Sequence, residues 1–470
     1  MSDARRSTRS SFPIAPGVAA QNRSDTIVAI ATAPGRSAVS IIRLSGRGAR
    51  DIAGRCVTPW PARPRELTRC RVREPMTDRH LDDGLVAEFP APRSYTGETV
   101  VEIHAHGGSY VAAAIQAACV SAGARPALPG EFTERAVLNG KLDLISAEAI
   151  GELIDARTRA THRAAIQALS GTLARQYAEL RRDAIAVEAL IAYDIDFPEE
   201  DQGPVARERV DAAAATVEVH LGSLLATTPA AILGRDGALV VLAGPPNAGK
   251  SSLLNALVGE SRVIVSDEPG TTRDAIEVLL DTDPWPIRLV DTAGLREDAG
   301  VVERLGIEVC ERYLKGADAV VVCAETENGL VTAAARVRTL TDAPIIEVHT
   351  KGDLRRRNGN PGPEAILEVS AINGWRLDTL RERILDVIVS RVGRPDDLAP
   401  PVASARQRAA LDVARNEMTL FRSAWREGAL PAPVAATHLR AAIDALDDLI
   451  GVVDANDVLD LVFSTFCVGK

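Results

Sequence analysis

The sequence predicts a multidomain chain, α/β plus all-α: an N-terminal α+β domain, a helical domain, and a doubly wound α/β phosphate-loop domain inserted into the helical one. Three observations predict it. Ala238–Ala243 is an apolar run leading straight into Gly244-Pro245-Pro246-Asn247-Ala248-Gly249-Lys250-Ser251-Ser252, and Leu253, Leu254 and Leu257 continue at helical spacing. Alanine-rich stretches with helical periodicity stand on both sides of that region, at 144–233 and 404–461. Short apolar runs punctuated by Pro and Gly occupy residues 26–104. The boundaries that follow are a tail over 1–22, an N-terminal domain over 23–143, helical segments over 144–235 and 394–470, and the phosphate-loop domain over 236–393.

The composition agrees. A chain of 470 residues leaves room for about three domains. It is 46% hydrophobic but only 3% aromatic, so its cores must be built from Leu, Val, Ile and Ala in helices and buried parallel strands. A formal net charge of −10 argues against holding nucleic acid by a broad basic surface, although a local patch stays open. The six cysteines are scattered with no C-x-x-C pair, which suggests neither a zinc site nor a disulfide framework and points to a reducing compartment. No apolar run approaches the roughly 20 residues of a membrane span, so no membrane partner is expected. Residues 1–22 are rich in Ser and Arg and lack a signal-peptide core. They read as a disordered tail on a cytoplasmic protein, with an organelle transit peptide as the alternative.

In the first domain, Thr26–Ala31, Val39–Leu44, Leu85–Phe89 and Val100–His104 read as strands and Ser109–Ala122 as a helix ended by Gly123. His104 and His106 sit two apart. No Cys or carboxylate nearby completes a ligand set, so they read as a polar pair at a strand end rather than as metal ligands. Gly46-Arg47-Gly48 lacks the third glycine of a dinucleotide fingerprint, so a flavin or nicotinamide site on this chain is poorly supported. Arg43, Glu102 and Lys141, taken alone, read as solvated or salt-bridged surface groups beside apolar runs. From Leu144 to Tyr193 the pattern is helical with one interruption near Ser170-Gly171, and Asp194-Ile195-Asp196-Phe197-Pro198 stops it. Residues 205–233 and 404–461 continue in the same character. Alanine-rich helices need many partners, so the segments before and after the insert should pack on one another.

The chemistry lies in the insert. Its glycines let backbone N–H groups close on a polyphosphate, and the following helix N-terminus adds a favourable dipole. Lys250 would reach the outer phosphates and Ser251 would ligate Mg²⁺. Next comes the polar loop Ser266-Asp267-Glu268-Pro269-Gly270-Thr271-Thr272-Arg273-Asp274, which offers Thr272 as a second Mg²⁺ ligand. The strand Ile287–Val290 ends in Asp291-Thr292-Ala293-Gly294, placing Asp291 to hold a magnesium-bound water and the Gly294 N–H to meet the γ-phosphate. Base choice comes from Thr350-Lys351-Gly352-Asp353. Asp353 accepts from the ring N–H and the exocyclic amine of guanine. Adenine lacks that donor pair and would leave a buried carboxylate unpaired, a discrimination that reaches about 10⁴-fold. Thr350 stands where this motif usually begins with Asn, which removes an amide tie within the site. Ser370-Ala371 would support guanine through backbone N–H groups. This order of motifs is that of the GTPases.

Leu295 occupies the position of the water-orienting Gln of Ras-type domains, so hydrolysis needs another polar group. Arg296, Glu297 and Glu303 lie just beyond. Glu303 is the first choice, the alternative being an ordinary acid at a helix N-terminus. Charge compensation of the arginine-finger kind is worth about 10³–10⁵ in rate. Arg273 or a cation would supply it, and Asn247 is a neutral oxygen ligand suited to a monovalent ion.

Beyond the insert, several short motifs are distinctive: Pro34-Gly35-Arg36, Tyr95-Thr96-Gly97-Glu98, His106-Gly107-Gly108, Pro129-Gly130-Glu131-Phe132, Leu138-Asn139-Gly140-Lys141-Leu142-Asp143-Leu144 and the terminal Phe466-Cys467-Val468-Gly469-Lys470. With them, from about Asp25 to the end, the chain resembles the MnmE (TrmE) family of tRNA-modification GTPases. The resemblance implies a homodimer formed through an N-terminal folate-binding domain. It implies modification of certain tRNAs at carbon five of the wobble uridine, with a tetrahydrofolate derivative as one-carbon donor. An MnmG-type partner would carry FAD and assemble with the chain into a heterotetramer. Folate contacts map onto Arg43, Glu102, Lys141 and Lys470. The paired G domains would close across K⁺ held by Asn247, Ser266, Glu268 and Thr271, and Glu303 becomes the group that orients water. Cys467 matches a family cysteine, read either as a nucleophile or as a small buried hydrophobe. Two other readings compete: a ribosome-assembly or regulatory GTPase switch without one-carbon chemistry, and an ATPase.

Overall fold

The computed structural model describes residues 25–61, 63–196, 205–259, 263–264, 276–291, 310–354, 366–395, 402, 404–427, 431–451, 462–463 and 466–469. The chain divides into two compact units, residues 1–147 with 451–470, and residues 148–450.

The first unit is built on a seven-stranded sheet in the order β3-β4-β5-β6-β2-β1-β7. Its strands are β1 (Ile27–Ile30), β2 (Val39–Ser45), β3 (Val57–Thr58), β4 (Thr68–Arg73), β5 (His80–Phe89), β6 (Val100–His106) and β7 (Arg125–Pro126). All pairings are antiparallel except β1 with β7. The four strands and the helix read from the sequence are present, with β5 five residues longer at its start than the Leu85–Phe89 run. Two helices, α1 (Ala49–Cys56) and α2 (Ser109–Ser121), supply Ala49, Ile52, Ala53, Cys56, Ile115, Ala118 and Cys119 to the core, which also holds Val28, Ile42, Leu44, Val86 and Ile103 from the strands. A third, α3 (Glu131–Leu138), sets Phe132 against Ile27 and Ala29. Alternation along each strand thus turns one set of side chains into the α1–α2 core and leaves Arg43, Glu102 and His104 to the opposite set.

The second unit, which begins at Glu148, holds the remaining helices and the inserted sheet. The run after Leu144 breaks twice rather than once, into α4 (Leu144–Asp155), α5 (Arg159–Leu169) and α6 (Thr172–Asp196). The unexpected break is made by Thr158. Its hydroxyl accepts from the Thr161 N–H and Thr161 answers on the Thr158 N–H, a reciprocal cap that begins a new helix. Then come α7 (Arg207–Leu225) and α8 (Thr228–Asp236), with Pro229 in the first turn of α8. Residues 207–236 are long and apolar enough to cross a membrane on length and composition alone. Here they form two helices, and Val210, Ala214, Val217 and Leu221 of α7 are buried inside the unit.

The inserted sheet has the order β14-β13-β12-β8-β11-β10-β9. Its strands are β8 (Ala238–Ala243), β9 (Val263–Ile264), β10 (Ile276–Leu280), β11 (Ile287–Asp291), β12 (Ala319–Ala324), β13 (Ile345–His349) and β14 (Leu367–Glu368). From β14 to β11 neighbouring strands run parallel, and the β10–β11 hairpin adds the antiparallel edge. β8 and β12 are buried along their whole length, as strands covered on both faces must be. The helices α9 (Lys250–Gly259), α10 (Glu327–Arg338) and α11 (Leu377–Val392) pack around them.

After the insert the chain returns as α12 (Ala405–Glu427) and α13 (Ala432–Ile450). These pack on α6 and α7, so segments more than 200 residues apart in sequence share one bundle. A polar knot fixes the register. The Arg406 guanidinium donates to Glu148 Oε1 at 2.6 Å, and Gln407 Nε2 donates to Glu148 Oε2 at 2.6 Å. The Tyr177 hydroxyl donates to Gln407 Oε1 at 3.3 Å.

Candidate functional site

The phosphate loop leaves the carboxyl end of β8, and parallel register brings Asp291, Ala324 and His349 to the ends of the neighbouring strands at the same edge. In open α/β sheets that edge is where ligands bind. Gly244 has to be glycine: at φ 142° a Cβ would lie 2.1 Å from the Cys323 carbonyl oxygen on β12. Asn247 (φ 60°) and Gly249 (φ 81°) take left-handed conformations on either side of buried Ala248 and curl the loop. Lys250 is buried, and its ammonium donates to the carbonyls of Gly244 at 3.0 Å and Pro245 at 2.9 Å. The loop is thereby closed on its own lysine.

The Ser251 hydroxyl, in the first turn of α9, donates to Asp291 Oδ2 at 2.5 Å. Asp291 is fully buried at the end of β11. The two side chains expected around magnesium are thus one hydrogen bond apart. A hydroxyl and a carboxylate oxygen are hard donors that fit such a cation. Ser252 is exposed on the same helical turn.

The base-reading loop differs from expectation in two respects. Thr350 does not lose the tie. Its hydroxyl is buried and donates to the Ala248 carbonyl at 2.6 Å, so the loop after β13 is pinned to the phosphate loop by one short bond. Asp353 is exposed rather than buried, on the single turn Gly352–Leu354. Its orientation comes from fully buried Ser370, whose hydroxyl donates to Asp353 Oδ1 at 2.7 Å. The Asp353 carboxylate is thus held in a set direction by one hydrogen bond. Lys351 (φ 56°) pairs through its ammonium with Glu325, a residue the sequence reading missed. The available signal was its place directly after β12, where each neighbouring parallel strand delivers a site residue.

Ser266, Asp267, Glu268, Pro269, Gly270, Thr271, Thr272, Arg273, Thr292, Ala293, Gly294, Leu295 and Glu303 lie outside the described residues, as does Lys470.

In the first unit, antiparallel register sets Arg43 directly opposite Glu102, and Arg43 Nε donates to Glu102 Oε1 at 2.9 Å. The guanidinium also donates to the Gly469 carbonyl at 3.4 Å and lies 5.9 Å from the Tyr95 ring and 5.8 Å from the Phe132 ring. Lys141 runs its aliphatic stem beside Gly97. Of the two readings of these charges, solvated or salt-bridged, Arg43 and Glu102 take the second, as one ion pair framed by aromatic rings. A cation, a carboxylate and π faces together suit a flat, polar-edged ring carrying an acidic tail. His104 meets Glu102 at 3.4 Å, and His106 meets Asp82 of β5 at 2.8 Å. Among the described residues no group of three or more His, Cys, Asp or Glu is placed to hold a metal. Cys467 is exposed, which removes the reading of it as a buried hydrophobe.

A phosphate-loop domain whose motifs meet at one sheet edge, set within a helical bundle and joined to an antiparallel-sheet domain, defines a multidomain P-loop nucleotide-binding protein. Comparison narrows the class. A family model described as the MnmE helical domain matches residues 144–467, and one described as the GTP-binding protein TrmE N-terminus matches residues 26–141. Proteins named tRNA modification GTPase MnmE align along nearly the whole chain. The one from Heliobacterium modesticaldum is 39% identical over 95% of this chain and 99% of its own. That from Methylobacterium radiotolerans is 41% identical over 96% and 100%, and that from Aquifex aeolicus 37% over 95% and 100%. The chain belongs to the MnmE family.

Proposed function

We propose that this chain is a GTP-hydrolysing enzyme of tRNA modification that acts at carbon five of the wobble uridine. One observation carries the GTPase part: Lys250, Ser251, Asp291, Thr350 and Asp353 converge on one sheet edge from three separate segments. The tRNA part is supported by the full-length relatives that bear that name.

The chain's residues would act as follows. Backbone N–H groups from Asn247 to Ser252 cradle the phosphates, and Lys250 exchanges its loop carbonyls for phosphate oxygens. Ser251 and Thr272 hold Mg²⁺, with Asp291 orienting a water of its shell. Bound magnesium would neutralise charge that builds on the transferring phosphate. Asp353 reads the guanine edge, with Ser370 and Ala371 behind it. Glu303 orients the attacking water, because Leu295 cannot. Asn247 and Thr271, with the backbone carbonyls of Ser266 and Glu268, offer neutral oxygens for K⁺, which would supply the positive charge an arginine finger supplies elsewhere. The pocket is completed when the G domains of a homodimer meet. Arg43, Glu102, Lys141 and Lys470 hold a tetrahydrofolate derivative, the source of the one-carbon unit. An MnmG-type flavoprotein brings FAD, and the assembly works in the cytoplasm.

The test is mass analysis of wobble nucleosides from cells lacking this chain. The expected result is loss of the carbon-five substituent, restored by the wild-type chain. Unchanged nucleosides would overturn the reading and leave a regulatory switch. Equal GTP turnover in Na⁺ and K⁺ would remove the cation from it.

A further inference from the structure

The two loops that face guanine are clasped by a residue, Trp375, that belongs to neither motif. After Ser370-Ala371 the chain turns through Gly374 (φ 74°) and Arg376 (φ 58°), and the Ser370 N–H donates to the Trp375 carbonyl at 3.1 Å. The Asn373 side chain accepts from the Trp375 N–H at 3.1 Å and closes the turn. This presses the indole onto Gly352: a Cβ built there would lie 2.8 Å from Cζ3 and 3.1 Å from Cε3 of Trp375. On its other flank the Gly352 N–H donates to the Val369 carbonyl at 2.9 Å. Gly352 is therefore gripped between a strand end and an aromatic ring, and the next residue is Asp353. The indole is still 44% exposed, so core burial alone does not account for a tryptophan there.

We infer that Trp375 is a positioning residue for guanine recognition. Its ring fixes Gly352, and its carbonyl fixes the backbone of Ser370, whose hydroxyl holds Asp353. Both neighbours of the base-reading carboxylate thus depend on one residue, Gly352 on its ring and Ser370 on its main chain, and the substitutions below change the ring alone. Because the Asp353 carboxylate is oriented by the Ser370 hydroxyl and follows Gly352 directly in the chain, loosening the clasp should cost base selectivity specifically. This inference rests on the GTP-binding reading.

The test measures GDP and IDP binding to the full-length chain by calorimetry, for wild type, Trp375→Ala and Trp375→Phe. IDP lacks the exocyclic amine and offers Asp353 one donor instead of two. Trp375→Ala should weaken GDP by about tenfold, the worth of one charge-assisted hydrogen bond, and IDP by less. Turnover at saturating GTP should stay within about twofold, since no phosphate contact is touched. Trp375→Phe should restore most of the preference. If Trp375→Ala does not fold, Trp375→Leu keeps the apolar bulk and should still narrow the GDP-to-IDP ratio. Equal losses for GDP and IDP, or none, would overturn the inference. Asp353→Asn, measured alongside, keeps the two failures apart. If it leaves guanine preference intact, the GTP-binding reading itself falls. If it abolishes the preference while Trp375→Ala keeps the ratio, only the role of Trp375 falls.

Discussion

Thr350 shows how a short hydroxyl side chain can tie two loops together. An amide at this position could make several hydrogen bonds, whereas the threonine hydroxyl donates one, to the Ala248 carbonyl. Replacing it with valine keeps the shape and strands a buried acceptor, at a cost of about 1–3 kcal/mol. Thr350→Val should therefore weaken GDP binding by about tenfold or more, while Thr350→Ser should hold it near wild type; a fluorescent-nucleotide titration checks both. The phosphate-loop residues were legible because their types and spacing are dictated by phosphate chemistry. The exposure of Asp353 was not, because it depends on where buried Ser370 is delivered by a separate loop.

Among the elements, α4 carries a group with a pH signature. Burial pushes the Glu152 carboxyl up to about 7, repulsion from Glu148 adds to the rise, and Arg235 opposes it. A carboxyl raised in the folded state stabilises the fold fully below its unfolded value near 4.5, and that contribution is lost as pH rises through about 7. Glu152→Gln should accordingly stabilise the second unit at about pH 8 by on the order of 1–3 kcal/mol, with little difference at about pH 4.5. Urea unfolding at the two pH values checks it. Elements were read well where the apolar pattern was strong and missed where charges diluted it. In β4, Cys70 and Val72 point inward between exposed Arg69 and Arg71, a true alternation with only two apolar members. In α1, Ala49, Ile52, Ala53 and Cys56 keep helical spacing, but Gly54 and three charged residues obscure it.

For the chain as a whole, the last residues belong to the first unit although some 440 residues separate them from β1. Val468 bridges to Pro129, and Gly469 (φ 98°) passes so close to β1 that a Cβ would lie 2.5 Å from the Ile30 carbonyl oxygen. Gly469→Val should dislodge this segment and release its bond to Arg43. The melting transition of the first unit should then fall by about 2–4 °C for each kcal/mol lost, while that of the second unit stays put. Scanning calorimetry of the full chain reads both. A single unshifted transition would show that the terminal segment contributes nothing to the first unit.

Local chemistry was enough to locate the phosphate loop, the Thr350–Asp353 loop, the split helical pattern and the family motifs, because each is a short-range demand of backbone conformation or hydrogen bonding. Pairings across long loops were not available from it: Arg43 with Glu102, Thr350 with Ala248, Ser370 with Asp353, Glu148 with Arg406, and the chain's end with β1. Those follow from strand register and helix packing, where burial of apolar faces selects one arrangement from many and carries the polar groups along with it.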